Sequence, residues 1–344
     1  MRKQDYYEPD FDDVPRRSKN TKKQKKKKSG SRGERAVVTL LSLLFLTVAV
    51  VATVKYVVRA PEPVTDNEDQ QTQQDGTAED SDAIQTISNG RERKSKYCYN
   101  ILLYGVDNDA GGSDTNMLMR FDAVNKTVDI VSLPRDTYIS GNYENSTIND
   151  IYREKDDGKG RGIRALQEAV EGMVGFKIDY HYVVTQETLT NALDAIDGLR
   201  FRVPRLDFCA LDSGTRKMDG EDAIQLFTYD PDYYDIDLEG PDTQRKFLLS
   251  LMSELIATND EGEMKSRAQA VLNDAETNVD EDTLLYFFKK LTRKSFDDAY
   301  SATMPGEIIT LGEDEGLDYT VEYYQVSQED AVSVLNEYFN PLEK

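Results

Sequence analysis

Residues Asn100–Ser140 read NILLYGVDNDAGGSDTNMLMRFDAVNKTVDIVSLPRDTYIS, and the pattern of this stretch decides how the rest of the chain is arranged. Ile101–Val106 is an apolar, β-prone run, short enough for a buried strand. Asn116–Phe121 and Thr127–Leu133 carry the same signature on either side of Asn125-Lys126, a hairpin-turn signal. Between the first two strands lies an acidic loop with Asp107, Asp109, Gly111, Gly112 and Asp114. The third strand ends at Leu133-Pro134-Arg135-Asp136, which places a cation and an anion just past a strand end. Ligands bind at strand ends in α/β sheets because the loops there are free to carry polar groups. The loop carboxylates and the Arg135–Asp136 pair are therefore expected to converge on one site.

Asp107, Asp109 and Asp114 are hard oxygen donors, suited to Mg²⁺, Mn²⁺ or Ca²⁺ rather than zinc. A solvated acidic turn is the plainer alternative. An EF-hand is excluded, because the twelfth position counted from Asp107 is Leu118 instead of the required Glu. The single histidine, His181, falls in the alternating run Ile178–Val184 and reads as a strand residue. A Cys/His metal site is ruled out, and nothing near His181 supports Ser-His-Asp or Cys-His catalysis. Cys98 and Cys209 leave two readings open, a disulfide or two buried thiols.

The chain has 344 residues and a formal net charge of −22, enough for one sizeable domain with appendages. The charge is unevenly spread. Residues 1–35 form a basic tail with a lysine run at Lys22, Lys23 and Lys25–Lys28. Residues 36–58 follow, beginning AVVTLLSLLFLTVAVVATV without a charge. About 20 apolar residues span a bilayer core of about 30 Å. The lysines before the span outweigh Lys55 and Arg59 after it, so the N-terminus is expected in the cytoplasm and the C-terminal part outside the cell. The run is too long for the core of a cleaved signal peptide and lacks an A-x-A site, which makes it a signal anchor in the cell membrane. A basic run abutting a span reads as a topology signal and a contact for anionic lipid, not as a nucleic-acid site. Residues 59–95 lack the apolar content to build a core and are expected to form a disordered extracellular stalk.

Residues 96–344 form the remaining domain. Helical spacing marks Gly162–Val174, Gln186–Ile196, Met218–Phe227, Pro241–Ile256, Asp280–Leu291 and Gln328–Phe339. Alternation marks Phe176–Val184, Arg200–Val203 and Tyr319–Tyr324 as strands, and the polar Arg153–Arg161 as a loop. Tyr229–Gly240, dense in Asp and Tyr, is an exposed acidic loop or a part of the site. Interleaved strands and helices predict a single α/β domain, a mixed central sheet flanked by helices.

The motifs of this domain resemble those of the LytR–CpsA–Psr family of bacterial cell-envelope proteins. Val131–Tyr138 (VSLPRDTY) is similar to the family's S-[IL]-P-R-D-T-Y, and Ser113-Asp114-Thr115 to its R-S-D-T. Met218–Ala223 (MDGEDA) is similar to its L-N-G-E-x-A-L, and Gln244-Arg245 falls where the family has R-x-x-R-Q. The resemblance implies an extracytoplasmic phosphotransferase that moves a glycopolymer from a polyprenyl-pyrophosphate carrier to peptidoglycan. It implies Mg²⁺ (or Mn²⁺) on Asp107 and Asp114, pyrophosphate on Arg135 and Arg245, and catalytic roles for Arg135, Asp136 and Glu239. It also implies an apolar lipid groove, expected here between the Gly162–Val174 and Pro241–Ile256 helices. The chain departs from the family where arginines are usual: Gly112, Thr228, Asp230 and Asp242 stand in their places, while Glu239 keeps an acid. The departures support a second reading, a degenerate member that binds lipid-linked glycan or a wall component without transferring it.

Overall fold

The computed structural model describes residues 61, 97–106, 115–139, 146–206, 209, 211–228, 239–311, 321–335 and 339. The predicted tail, anchor and nearly all of the stalk lie outside them. Among the described residues no helix is long and apolar enough to cross a membrane.

The three strands of the opening stretch form the middle of a five-stranded sheet. β1 (Cys98–Gly105) pairs antiparallel with β2 (Thr115–Asp122), and β2 with β3 (Thr127–Ser132). The β2–β3 turn closes on Asp122, whose Oδ1 accepts from the amides of Val124 and Asn125 while Lys126 takes a positive φ of 59°. β6 (Tyr180–Val184) runs parallel to β1 on one edge, and β9 (Ser301–Thr303) parallel to β3 on the other. The strand order is therefore β6-β1-β2-β3-β9. This order makes β1, β3, β6 and β9 end at one rim of the sheet, the rim where β2 begins.

All eight residues of β1 are buried, so the sheet is covered on both faces. Successive side chains point to opposite faces of a strand, and the packing follows. Tyr99, Ile101 and Leu103 join a core with α3 (Gln186–Asp194), α4 (Gly220–Phe227), α5 (Glu239–Leu255), α6 (Glu261–Leu272) and α7 (Glu281–Leu291). Leu102 and Tyr104 join a second core with α1 (Ile148–Lys155), α2 (Arg161–Val174) and α8 (Gln328–Val334). Three small ribbons complete the domain: β4 (Tyr138–Ile139) with β5 (Ser146–Thr147), β7 (Leu199–Val203) with β8 (Gly214–Met218), and β10 (Gly306–Leu311) with β11 (Val321–Val326).

Several boundaries differ from the sequence reading. The polar segment after Asp150 is helical as far as Lys155, because Thr147 and Asp150 form a reciprocal capping box and Tyr152 stacks on Tyr104 at 4.3 Å. The strand expected from Phe176 begins only at Tyr180. Before it, side chains replace the ladder: Asn100 donates from its backbone to Asp179 and from its amide to Lys177 O. Cys98 and Cys209 are not joined by a disulfide.

Gly220 is set by packing. A Cβ built there would lie 1.8 Å from Thr190 Oγ1 and 2.9 Å from its Cα, because α4 crosses α3 at that point. Overpacking of this kind costs about 1–3 kcal/mol. Gly220→Ala is expected to lower the unfolding free energy measured by urea titration by that amount, and an unchanged value would show that the α3–α4 crossing yields freely.

Candidate functional site

The site is built at the rim where the four parallel strands end. Beyond Ser132 the β2–β3 ladder continues by one bond, Leu133 N–H to Asn116 O at 2.8 Å. The chain then turns. Thr137 donates from its backbone and its hydroxyl to Pro134 O, at 3.0 and 2.6 Å. Arg135 and Asp136 occupy the two central positions of this turn, with side chains half-buried and Nε 3.9 Å from Oδ1. The turn is pinned on both flanks. Asn149 of α1 donates to Arg135 O, and Tyr324 of β11 donates to Asp136 O. A loop between strands is thus held as firmly as a strand.

Arg245, in the second turn of α5, reaches the same rim from above the sheet. Its residue is 3% exposed, which demands partners for its charge. Nε donates to Ser301 Oγ at 2.8 Å, and Nη1 donates to Ser132 Oγ at 2.8 Å and Thr303 Oγ1 at 3.1 Å. Nη2 lies 3.6 Å from Asp242 Oδ1. Burial draws the Arg245 pKa below the ordinary arginine value, and Asp242 and Tyr300 oppose the change. The three hydroxyls fix the plane of the guanidinium, and Nη2 is left facing Asp242.

The end of α4 closes the site from a third direction. Its terminal carbonyls would repel an anion, but Phe227 O accepts from Thr115 Oγ1 at 2.6 Å, and Leu226 O from Gln244 Nε2 at 3.1 Å. Thr115 is the threonine of the S-D-T segment and Gln244 precedes Arg245, so two motif positions act here as helix caps. Asp219 does similar work at the other end of α4, accepting from the Asp222 amide. These roles were missed in the sequence, where the motifs read only as chemistry.

Among the predicted site residues, Arg245 donates to Ser132 at the end of β3, and Arg135 and Asp136 occupy the turn that begins at Pro134, two residues further along the chain. Asp107 and Asp114 lie in the β1–β2 connection, outside the described residues, as do the side chain of Glu239 and most of Tyr229–Gly240. Glu239 opens α5, two turns before Arg245. Among the described residues no group of three or more His, Cys, Asp or Glu side chains could hold a metal ion. Asp107 and Asp114 are hard carboxylates, a donor type whose chemistry suits Mg²⁺. His181 sits in β6, on the sheet edge opposite β9, and its Nδ1 is 2.9 Å from Gln167 Oε1.

Beneath the rim an apolar cavity of about 150 Å³ lies between the sheet and the helices of the first core. Leu103, Met119, Leu189, Leu251, Phe287 and Phe288 line it. The expected groove therefore has one of its two predicted walls. α5 contributes, but α2 packs on the opposite face of the sheet, and α3, α6 and α7 supply the rest. Period-3.6 apolar spacing identified both helices without saying which face each would cover.

The family model described as LytR_cpsA_psr matches residues 61–340. Polyisoprenyl-teichoic acid–peptidoglycan teichoic acid transferase TagU of Bacillus licheniformis is 30% identical over 106 residues, which are 29% of this chain and 33% of that protein. The TagU of Oceanobacillus iheyensis is 27% identical over 202 residues, 56% of this chain and 62% of that protein. The chain thus spans about a third of the first relative and under two thirds of the second. Bacillus subtilis TagV superimposes with a TM-score of 0.59 at 20% identity, covering 72% of this chain and 100% of its own. TagT bound to LI-WTA does so with 0.54 at 19% identity, covering 75% and 96%. At these identities the likeness is one of fold.

Replacing Arg245 by Met takes their donor from Ser132, which is buried, and from Ser301 and Thr303, which are partly buried. The expected loss is about 2–4 kcal/mol of stability, read as a fall in the urea midpoint. Arg245→Lys should recover little of it, because one ammonium cannot span the three hydroxyls. An unfolding free energy within about 0.5 kcal/mol of wild type for Arg245→Met would show that water fills the gap.

Proposed function

The chain belongs to the LytR-CpsA-Psr family, and from that premise we propose that it transfers an anionic glycopolymer from a polyprenyl-pyrophosphate carrier to peptidoglycan at the outer face of the cell membrane. One observation carries the reading. Arg245 of α5 is bound to Ser132 at the end of β3, Arg135 sits in the turn that follows the same strand, and the sheet face lines an apolar cavity. This is the arrangement that a charged head on a hydrocarbon tail requires.

In the reaction, an acceptor hydroxyl attacks the phosphorus that carries the polymer. A new P–O bond forms, the bond to the bridging pyrophosphate oxygen breaks, and polyprenyl phosphate leaves. Arg135 and Nη2 of Arg245 offset the charge that grows on the leaving phosphate. The proton of the hydroxyl goes to a carboxylate, Asp136 or Glu239. Mg²⁺ held by Asp107 and Asp114 would supply further charge neutralisation at the pyrophosphate. The cavity of about 150 Å³ is smaller than the roughly 300–1,000 Å³ of sites for drug-sized ligands. A long polyprenyl tail therefore has to part α5 from α7.

A second reading, holding without transfer, has its own observation. Asp242 stands where the family has an arginine, and it pairs with Lys246 and approaches Arg245 at 3.6 Å. Each cation it occupies is one fewer for the substrate.

The test is release of polyprenyl phosphate from a polyprenyl-pyrophosphate-linked glycan by the full-length protein, with and without Mg²⁺. Wild type should turn over with the metal, and Arg135→Ala should lose about 10²–10³-fold in rate while keeping its fold. Glycolipid binding with no release under any metal condition would reject transfer in favour of holding. Asp242→Asn should then raise affinity for the glycolipid.

A further inference from the structure

The β7–β8 ribbon stands out from an acidic molecule. β7 turns Leu199, Phe201 and Val203 inward and leaves Arg200 and Arg202 exposed. Residues opposite each other on antiparallel strands share a face. Lys217, opposite Arg200, and Thr215, opposite Arg202, therefore lie on the same outer surface. Arg205 is exposed just beyond β7. The inner side is anchored: Phe201 packs edge-on against Phe247 of α5 at 5.3 Å, and Arg216 pairs with Asp222 of α4 at 3.0 Å.

Among the described residues little opposes the charge of Arg200, Arg202 and Lys217. Lys217 meets Asp197 at 3.0 Å with both side chains largely in water, a pairing of small strength. Asp212 is exposed in the connection between the strands. Arg200 and Arg202 form no ion pair among the described residues. Alternate residues on a strand are about 6.8 Å apart, so these two cations form the start of a line with Lys217 beside it.

The surroundings give the line its meaning. The chain carries −22 overall even with the lysine-rich tail counted, so the folded part is more negative still. A polyanion meets repulsion over most of such a surface and attraction at the ribbon. The ribbon also leads to the site. β8 ends at Met218, α4 starts at Gly220, and Phe227 at the far end of α4 accepts the Thr115 bond. Eight helical residues separate the two by about 12 Å.

We infer that the outer face of β7–β8 binds the phosphodiester backbone of the anionic glycopolymer and holds it beside the site where its lipid-linked end reacts. This deepens the transfer reading and rests on it for the identity of the polymer. A bilayer is a plane and calls for a broad field of cations, whereas a narrow ribbon with its cations in line suits a linear chain.

The test uses full-length protein in neutral phosphatidylcholine nanodiscs and a fluorescent poly(glycerol phosphate) of defined length, titrated at several salt concentrations. An Arg200→Gln/Arg202→Gln variant is compared with Lys265→Gln/Lys289→Gln, which removes the same charge from α6 and α7. Wild-type binding should fall steeply with salt. The ribbon variant should bind about tenfold or more weakly at 0.1 M salt, with a slope of log affinity against log salt shallower by about 1.4–1.8, and the control should match wild type. Equal binding by the ribbon variant, or an equal loss in the control, overturns the inference. So does loss of binding to phosphatidylglycerol vesicles with polymer binding intact, which would make the ribbon a membrane contact. Ribbon-dependent polymer binding without any transfer would leave this inference standing and remove the transfer reading. Transfer with ribbon-independent binding would do the reverse.

Discussion

A buried guanidinium is costly unless its donors are met, and Arg245 meets this requirement with hydroxyls. A carboxylate in the same place would hold the group equally well and cancel its charge. Ser132, Ser301 and Thr303 fix the orientation and leave the charge nearly intact. The same three contacts tie α5 to the ends of β3 and β9. β9 is only three residues long, so its place at the sheet edge owes much to this clasp. Among the described residues, the acid that pairs with the guanidinium, Asp242, stands off at 3.6 Å and is shared with Lys246. Fold and electrostatics therefore depend on one residue for different reasons, and a stability measurement on Arg245 variants does not report the pyrophosphate contact proposed for it.

The sheet divides the labour between its two faces. On one, α1, α2 and α8 pack against Leu102 and Tyr104 and brace the Arg135 turn through Asn149. On the other, Leu103 and Met119 look into the cavity. A sheet covered on both faces has no solvated side on which to place a ligand. The polar chemistry is confined to the rim, and the apolar space has to lie between layers. A lipid-linked phosphate has the same division along its length.

Much of this was legible in the sequence. The three strands of Asn100–Ser140 were readable because each has an apolar run and the turn at Asn125-Lys126 has polar residues that Asp122 can bind. The Arg135 turn was readable from Pro134 after a strand. Other parts were hidden for physical reasons. β8 is GTRKM, four exposed residues and Met218, and it is a strand only because β7 pairs with it. α6 buries only Met264 and Ala268 among its fully covered residues, too few for a stripe. The capping box of α1 was visible as Thr147-x-x-Asp150, but Arg153–Lys155 outweighed it. At the site, identity was legible and partnership was not. Thr115, Gln244 and Gly220 belong to motifs, yet two cap α4 and the third lets it cross α3, which no residue pattern announces.

The two ends of α4 differ in the charge beside them. At its C-terminal end Thr228 stands where the family usually has an arginine, and its hydroxyl closes the helix on Ile224 O at 2.9 Å. It ends the helix and brings no charge to the site. At its N-terminal end lies the ribbon with Arg200, Arg202 and Lys217 exposed. A helix favours anions at its N-terminus and disfavours them at its C-terminus, so cations near the N-terminal end act with the backbone and those near the C-terminal end act against it. Thr115 and Gln244 mute the unfavourable end without reversing it. On the proposed function, a cationic surface about one short helix from the site places the grip on the polymer where the backbone assists. The reactive end of the polymer is then left to Arg135, the clasped Arg245 and the acidic loop between β1 and β2.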